Sequence, residues 1–405
     1  MKICIFTETY YPVMGGGETQ ARLLTESLIA NGHSVIVLTR RSDAALKKHE
    51  LYGKVNVYRL APVGSGQLKK WGLLFSSFPM LIQLRNQYDL IFVSGYRIIG
   101  LTAVLVGKLL GKRVVLKADS QGEMSGDFFE SGLRKFGFSH KTWLFRCFLR
   151  FRNTILKKAD AFSAISPEIV SEWTSSGILF EKIRLIPNGT DTNLFFPAKS
   201  VEKIAVRRKL GLPQNTKIAI YTGRLVTYKG LPLLVKVWDE IRRKHEKILL
   251  ILAGTGGLDI DNCEEAVREY VRVNNLENQV LFTGAVQNIP EYLQASDLFV
   301  FPTENDAFPS SIVEAMACGL PVISTPVGAI KTIITNGETG VLIRPGDAGQ
   351  LYQALDVMLS DKEMASRLGK AASQSVQAQY SAEIVSRKYL TLFQGLIEPI
   401  KARIG

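Results

Sequence analysis

Short apolar runs rich in β-branched residues alternate with amphipathic stretches along nearly the whole chain. In the first half, the runs that predict strands are KICIFTE, SVIVLTR, VNVYRLA, LIFVSG, RVVLKA, AFSAIS and IRLIPNG. In the second half, they are KIAIYTG, KILLILAG, QVLFTG, LFVFPT, PVISTP and GVLIRPG. Continuous apolar strands separated by helices are typical of parallel sheets that are covered on both faces. Two such sets predict an α/β protein with two Rossmann-like, doubly wound parallel-sheet domains that face each other across a cleft.

The strand pattern breaks at residues 193–203, NLFFPAKSVEK, where Pro197 and polar residues follow a strand. We therefore expect a first domain over 1–197 and a second over 198–380. Past residue 347 the pattern is helical to the end, with a last helix over 381–405. A chain of 405 residues is also too long for one comfortable core, which agrees with two domains.

No segment reaches the ~20 apolar residues of a membrane span, and the apolar start is too short for a signal peptide. The best candidate, IIGLTAVLVG at 98–107, is predicted to be a buried helix packed on a sheet. Cys4, Cys147, Cys263 and Cys318 are scattered without paired spacing. Free thiols in a reducing cytoplasm are the interpretation we favour.

The net charge of +13 is concentrated in the first half of the chain. Residues 1–200 hold 27 Lys/Arg against 15 Asp/Glu, and residues 201–405 hold 23 against 22. Residues 131–159 contain eight basic residues, six aromatics and no acid, which favours a helix at an anionic membrane surface. One alternative is a solvated basic face whose aromatics lie in the core. The other is nucleic acid, which no recognisable motif supports. We expect peripheral contact with the inner face of a membrane and no nucleic-acid partner.

Glycine-rich turns and a pair of cations follow predicted strands, where ligands of open parallel sheets bind. Gly15–Gly17 would let the backbone approach a phosphate or sugar closely, just before a helix predicted at Glu18. Arg224 and Lys229 follow the strand KIAIYTG and would suit a diphosphate. The alternative for these two residues is a pair of solvated loop charges.

The stretch DAFPSSIVE has carboxylates at both ends, Asp306 and Glu314, around a predicted helix start. Pro309 suits the first turn of that helix, and Ser310 and Ser311 are expected to satisfy its free amides. A helix start offers N–H groups and a partial positive charge to an anion. The stretch therefore favours a sugar nucleotide, with its hydroxyls on the carboxylates and its phosphates on the helix start and the cations.

Metal sites and nucleophiles find little support. Asp259-Ile-Asp261 has the form of an Asp-x-Asp metal motif, but its position after AGTGG favours a helix N-terminus. The four histidines lack ligand spacing, and the sequence contains neither a nucleophile elbow nor a Cys/His pairing signature. We expect neither a metal nor a cofactor.

Several of these segments together resemble the family 4 retaining glycosyltransferases (glycosyl transferases group 1), which have the GT-B fold. The segments are PVMGGGETQARLLTESLIANGHSVIVLT, IPNGTDTNLFFP, YTGRLVTYKG, LAGTGG, FTGAV, IPEYLQASDLFVFPT, DAFPSSIVEAMACGLPVISTPVG and GETGVLIRPGD. The resemblance covers nearly the whole chain. It implies that the first domain serves the acceptor, that the second binds the nucleotide-sugar donor, and that the last helix crosses back to the first domain.

The resemblance also implies roles for individual residues. Arg224 and Lys229 should bind the donor diphosphate, and Glu314 the ribose. Asp306 takes the position of the first acid in the family's Glu–seven residues–Glu pattern and should contact the donor sugar. The remaining donor-binding residues are Phe308, Pro309, Ser310 and Ser311, beside the sugar and phosphate, and Gly16 and Gly17, which should close over the donor from the first domain.

Two departures from the family pattern concern the chemistry. Asp306 is one methylene shorter than the usual Glu. Many members also have a histidine after the strand that corresponds to RVVLKA, whereas this chain reads VLKADSQGE. Asp119 and Glu123 are the acids nearby, and Asp119 joins Arg224, Lys229 and Asp306 as our catalytic candidates. In the family's proposed route the leaving phosphate takes the acceptor's proton, so neither a strong base nor a metal is implied.

The expected function is retaining transfer of a hexose-like sugar to a glycan or lipid-linked acceptor, in surface-polysaccharide or glycolipid biosynthesis. Two alternatives stay open. One is another sugar-nucleotide enzyme of the same fold, such as an epimerase, which would convert the donor without an acceptor. The other is a non-catalytic module that binds a sugar nucleotide or a membrane.

Overall fold

The computed structural model describes residues 1–13, 15–64, 67–129 and 142–404. Residues 131–141 of the predicted membrane-binding segment therefore lie outside the described residues. The chain forms two compact units. The first comprises Met1–Gly189 together with the residues from Ala382 onward, and the second comprises Thr190–Ser381.

The first boundary lies closer to the N-terminus than the predicted position at residue 197. The amide of Thr190 donates to the carbonyl of Tyr380 at 2.8 Å, and Thr190 also forms a bridge with Ser381. Because these partners belong to the second unit, the chain changes unit after Gly189.

The first unit is built on one large sheet. Its strands are β1 (Lys2–Thr7), β2 (Ser34–Arg40), β3 (His49–Tyr52), β4 (Val55–Leu60), β5 (Leu90–Ser94), β6 (Arg113–Lys117), β7 (Ala161–Ala164) and β8 (Ile183–Leu185). They lie in the order β3-β4-β2-β1-β5-β6-β7-β8, and every pair is parallel except β3 with β4. The sequence pattern does not predict β3, because this edge strand is half exposed and has no apolar run.

Helices of the first unit cover its sheet. They are α1 (Gly16–Ala30), α2 (Gln67–Gln83), α3 (Ile99–Leu110), α4 (Trp143–Leu156), α5 (Pro167–Ser175) and the C-terminal helix (Ala382–Ile404). The buried helix predicted over 98–107 is confirmed by α3. The C-terminal helix packs on α1 and the sheet through Val385, Tyr389, Phe393 and Ile397, whose four-residue spacing forms one apolar face.

The second unit has a smaller, wholly parallel sheet. Its strands are β9 (Lys217–Thr222), β10 (Ile248–Ala253), β11 (Val280–Gly284), β12 (Leu298–Phe301), β13 (Val322–Ser324) and β14 (Val341–Leu342), in the order β11-β10-β9-β12-β13-β14. Its helices are α6 (Ser200–Lys209), α7 (Leu231–Ile241), α8 (Glu264–Val273), α9 (Ile289–Ala295), α10 (Ser310–Ala317), α11 (Ile330–Ile333), α12 (Ala348–Ser360) and α13 (Lys362–Gln379). The predicted α/β class, with a doubly wound parallel sheet in each unit, is confirmed.

Strand order shows where each unit can hold a ligand. The order reverses between β1 and β5 in the first sheet and between β9 and β12 in the second. Ligands of such sheets bind beyond the carboxyl ends of the strands at these points. Among the described helices, none is long and apolar enough to cross a membrane.

Candidate functional site

Arg224 follows β9 in the second unit, next to the point where the strand order reverses. The hydroxyl of buried Tyr221 donates to the Arg224 carbonyl at 2.7 Å, which fixes the backbone after the strand. The guanidinium donates to the Tyr228 hydroxyl at 2.7 Å and forms an ion pair with Asp259. The Arg224 side chain is nevertheless 60% exposed. This cation is oriented by its neighbours and is open to a ligand.

Lys229 is the second cation, and in contrast to Arg224 it is buried. Its ammonium lies 2.7 Å from Asp306 Oδ2 and donates to the Asn305 carbonyl at 2.9 Å. Burial lowers the pKa of the Lys229 amine, and the Asp306 carboxylate opposes that change. Asp306 therefore helps to keep Lys229 charged beside the carboxyl end of β12.

The start of α10 differs from the sequence prediction. Pro309 precedes the helix and is not in its first turn, and no side-chain cap is formed. Instead, Asp306 Oδ1 accepts a hydrogen bond from the Phe308 amide at 3.0 Å and closes the turn before the helix. Ser310 and Ser311 do not satisfy the free amides as predicted, since the acid two residues before Phe308 already organises this turn. Within the described residues, the Ser310 and Ser311 amides are without acceptors and can meet a ligand.

Glu314, one turn into α10, lines an open cleft of about 360 Å³. It shares this cleft with Arg224, Ser311 and the turns that follow β9, β10 and β11. Burial raises the pKa of the Glu314 carboxyl to about 7, and no charge or hydrogen bond among the described residues offsets it. Near neutral pH such an acid can accept a hydrogen bond from a hydroxyl group when it is ionised and can donate one when it is protonated.

Two glycines let the turns around this cleft pack closely. A Cβ at Gly254 would collide with the Gly223 carbonyl, and a Cβ at Gly328 would collide with the Asp306 carbonyl. Both glycines also have positive φ, 147° and 51°. Because Gly254 has no side chain, the turns after β9 and β10 can approach each other closely. Gly328 likewise allows close contact with the loop that carries Asp306.

In the first unit, Gly16 and Gly17 form the first turn of α1, which begins two residues before the predicted start at Glu18. Extended Gly15 precedes the helix. A Cβ at Gly16 would have no atom of the described residues within 4 Å, whereas one at Gly17 would lie 3.4 Å from Asp119 Oδ2. The glycine helix start and Asp119 are therefore neighbours.

Asp119 and Glu123 lie after β6, where many members of the family have a histidine, and the structure distinguishes these two acids. Asp119 pairs with Lys117 at 2.7 Å, and its side chain is 23% exposed. Glu123 is fully buried, and its Oε1 accepts from the amides of Asp119 and Ser120 at 3.4 and 3.1 Å. Burial raises the pKa of Glu123 to about 7, although Arg97 opposes this from 3.7 Å. Asp119 can meet a ligand, while Glu123 holds the loop on which Asp119 sits.

The predicted site residues thus form two groups, one in each unit. The second unit brings together Arg224, Lys229, Asp306, Phe308, Pro309, Ser310, Ser311 and Glu314. The first unit brings together Gly16, Gly17 and Asp119. Clusters of His, Cys, Asp and Glu suited to a metal ion are not found in the part of the chain that the structure describes.

Asp259 is the site residue whose role the sequence does not reveal. It does not begin a helix as predicted, since α8 starts at Glu264. Its carboxylate instead pairs with Arg224, which is 35 positions away in the chain. Only the adjacency of β9 and β10 brings the two turns together, so no local pattern could have identified this pair.

Two family models match the chain and together span most of it. The model for glycosyl transferases group 1 matches residues 202–375, and the model for glycosyltransferase family 4 matches residues 14–194. The chain belongs to this family. It is a glycosyltransferase that transfers a sugar from a nucleotide-sugar donor, and the family is a retaining one with the GT-B fold.

Three similar proteins match this glycosyltransferase over nearly their whole length. N-acetyl-alpha-D-glucosaminyl L-malate synthase of Bacillus anthracis is 24% identical and covers 97% of each chain. Sucrose-phosphate synthase of Thermosynechococcus elongatus superposes with a TM-score of 0.80 at 24% identity, over 98% of this chain and 100% of that one. HepE of Anabaena, solved in complex with UDP-glucose, has a TM-score of 0.76 at 19% identity, with 98% and 100% covered. These structures share the fold.

Proposed function

We propose that this glycosyltransferase moves a hexose-like sugar to a glycan or lipid-linked acceptor, with retention and without a metal ion. One observation carries the donor assignment. Within the second unit, two cations, a helix start with free amides and an unpaired carboxyl meet around the carboxyl ends of the strands. The proposed setting is surface-polysaccharide or glycolipid biosynthesis at the inner face of a membrane.

The donor diphosphate is proposed to bind Arg224, Lys229 and the first turn of α10. Ion pairs at exposed positions are weak, so phosphate can displace Asp259 from the 60% exposed Arg224. The Lys229 side chain is only 10% exposed, and we expect it to keep Asp306 while it contacts the phosphate. The Arg224 guanidinium can form two parallel hydrogen bonds to the phosphate, whereas the Lys229 ammonium acts on it as a compact charge.

The hydroxyl groups of the donor are proposed to bind the two acids. An ionised Glu314 offers two oxygens to the ribose hydroxyls. Both carboxylate oxygens of Asp306 are already held, one by Lys229 and the other by the Phe308 amide. From this fixed position Asp306 would accept a hydrogen bond from a sugar hydroxyl. From the first unit, Gly16 and Gly17 would bring backbone amides to the donor without steric hindrance.

The transfer step needs charge stabilisation more than it needs a base. As the bond between the sugar and phosphate breaks, negative charge develops on the leaving diphosphate, where Arg224, Lys229 and the α10 amides would stabilise it. The acceptor oxygen bonds to the anomeric carbon, and its proton passes to the leaving phosphate oxygen. Asp119 is proposed to orient the acceptor hydroxyl. No step of this route requires a metal.

Thermal unfolding with UDP, GDP, ADP and their common sugar conjugates tests the donor assignment. A ligand at 100 times its Kd should stabilise the folded protein by about 2.7 kcal/mol. The stabilisation should disappear in Arg224→Ala/Lys229→Ala. It should persist in Lys236→Ala/Arg243→Ala, which removes two cations of the same unit that do not line the cleft. An equal response in both double variants, or no response to any nucleotide, would contradict the assignment.

Product analysis then separates transfer from the alternatives. With the stabilising donor and a membrane extract as acceptor, we expect release of the nucleoside diphosphate together with labelled sugar in the lipid or glycan fraction. Conversion of the donor sugar without any acceptor would indicate an epimerase-like enzyme. Binding without turnover would indicate a non-catalytic module.

The membrane part of the proposal is supported by the exposed face of α4. Trp143, Leu144 and Phe151 are 74%, 71% and 65% exposed. Arg146 and Arg150 are exposed among them. An exposed apolar and cationic helix face matches an anionic lipid surface, in which the apolar side chains insert and the arginines bind phosphate groups. The aromatics of this segment are therefore not all core residues.

Co-sedimentation with vesicles of phosphatidylglycerol and phosphatidylcholine tests this surface. Trp143→Ser/Phe151→Ser and Arg146→Glu/Arg150→Glu should each remove most of the binding. A matched control, Val201→Ser/Val273→Ser, changes two exposed aliphatic side chains of the second unit and should bind as the wild type does. Undiminished binding by both α4 variants would rule out α4 as the docking helix.

A further inference from the structure

The loop that carries Asp119, residues 118–129, is held from two sides within the first unit. On one side, Glu172 of α5 accepts hydrogen bonds from three loop amides at 2.7, 2.8 and 2.9 Å. On the other side, α4 donates hydrogen bonds to the loop carbonyls. The loop has little regular structure of its own, so these side chains help to determine its conformation, together with Glu123.

The hydrogen bonds from α4 come from two consecutive residues. Arg152 Nη2 donates to the Glu123 carbonyl at 2.6 Å and more weakly to the Met124 carbonyl at 3.4 Å. Asn153 Nδ2 donates to the Met124 carbonyl at 2.9 Å. The Arg152 guanidinium also lies 5.4 Å from the centre of the Phe129 ring. The loop is thus tied to α4 at the residues that directly follow the Asp119 turn.

Arg152 is an unusual choice for this position if packing is its only role. It is fully buried, and its Nη1 has no acceptor in the described part of the chain. Burial lowers the pKa of the guanidinium, which reflects the cost of placing its charge there. An apolar side chain would fill the space at lower cost. What arginine adds is a directional contact with the loop backbone.

The residue before Arg152 on α4 lies at the surface. Phe151 is 65% exposed and belongs to the face proposed to dock on a membrane, whereas Arg152 faces the loop. Because a helix is stiff, a force on its exposed face moves its buried face with it. We propose that Arg152 is a positioning residue that couples docking of α4 on an anionic lipid surface to the conformation of the Asp119 loop. This inference rests on the docking surface in the proposed function.

Hydrogen exchange in peptides that cover residues 118–129 tests the coupling. With vesicles of phosphatidylglycerol and phosphatidylcholine, exchange in this loop of the wild-type protein should slow by about tenfold. Arg152→Met should co-sediment with the vesicles as before, but its loop should no longer respond. Arg152→Lys keeps the charge and can form one bond to the loop, so a partial response is expected. Should Arg152→Met fail to fold, Arg152→Lys carries the test.

Arg59→Met is the matched control. Arg59 is also buried in the first unit and binds a backbone carbonyl, that of Tyr11, at 2.8 Å, as well as Glu50. Its loss should affect stability in the same way, yet the loop should respond to vesicles as in the wild type. A response that survives in both Arg152 variants would show that Arg152 is only a structural tie and would overturn the proposal.

The remaining outcomes are also decisive. If vesicles bind the wild-type protein but hydrogen exchange in its loop does not change, the coupling is wrong and the docking surface is unaffected. A wild-type protein that does not bind vesicles would overturn both. Neither result affects the donor assignment, because nucleotide stabilisation through Arg224 and Lys229 is measured in the second unit and without lipid.

Discussion

The two units differ in how they use charged side chains beyond the ends of their strands. In the second unit, Arg224 and Lys229 each pair with a carboxylate, which an anionic ligand can replace or share. In the first unit, Arg152 and Glu172 bind the backbone of one loop. Side-chain ion pairs are exchangeable, whereas bonds to a loop backbone fix its conformation. On this basis we propose ligand binding for the first kind of cluster and positioning for the second.

Lys229→Met is expected to have the largest effect, which is on the rate of sugar transfer. This change removes a buried cation that is proposed to stabilise the leaving diphosphate, so transfer should fall by about 10²–10³-fold in kcat. It also leaves Asp306 without its ion-pair partner. Lys229→Met/Asp306→Asn removes that unpaired acid and serves as the control for destabilisation. If the double variant regained near wild-type activity, Lys229 would only balance the charge of Asp306, and its proposed role at the phosphate would be wrong.

A smaller effect, on stability, is expected from Glu172→Ala in the first unit. The change leaves three loop amides without their acceptor. The bonds of Gly122 and Met124 are partly buried, and an unsatisfied buried group costs about 1–3 kcal/mol. Chemical unfolding should show this loss, and hydrogen exchange should place it in residues 118–129. Glu26→Ala removes an exposed acid of the same unit that pairs with Arg22 at 3.2 Å, and should be nearly neutral. Equal losses in the two variants would contradict the positioning role of Glu172.

The pH dependence of donor binding should follow Glu314. In the free enzyme, burial raises its carboxyl pKa to about 7, and ribose hydroxyls that donate to the carboxylate would lower that pKa on binding. Binding would then release a proton, so affinity should increase as the pH rises from 6 to 8, by about tenfold, and level off above that. A nucleotide sugar is the right ligand for calorimetry, because its diphosphate has no ionisation of its own near neutral pH.

Glu314→Gln is the control for this prediction, since its side chain has a similar shape and does not titrate. Its donor affinity should be flat over the same range. Glu123→Gln should keep the wild-type pH dependence, although the pKa of Glu123 is also raised to about 7, because that acid supports a loop in the first unit. A pH dependence that disappears in Glu123→Gln and persists in Glu314→Gln would reverse the assignment of the two acids.

The sequence pattern predicts the fold of each unit well, because continuous apolar strands have few alternatives. It fails for an exposed edge strand, for one short turn and for contacts between residues that are distant in the chain. The half-exposed edge strand β3 has no apolar run to reveal it. Asp306 replaces the two serines in organising the turn before α10. The ties from Arg152 and Glu172 to the Asp119 loop span 28 to 50 positions and exist only once the sheet is formed. Local pattern thus identified residues that lie beyond the carboxyl ends of the strands better than it identified the groups that hold them.

The smallest expected effect comes from Asp259, and it probes how exchangeable the ion pairs of the second unit are. If a diphosphate displaces Asp259 from Arg224, then Asp259→Asn removes a competitor, and donor affinity should increase. The pair is exposed at Arg224, so its contribution is about 0–1 kcal/mol, which corresponds to roughly fivefold or less in Kd. The increase should shrink as salt is raised, because screening weakens the wild-type pair as well.

Asparagine can still accept the hydrogen bond from the Asp261 amide, so the loop should keep its shape. Weaker donor binding in Asp259→Asn would mean that Asp259 holds Arg224 in its binding position, and the second unit would then use this pair for positioning, as the first unit does.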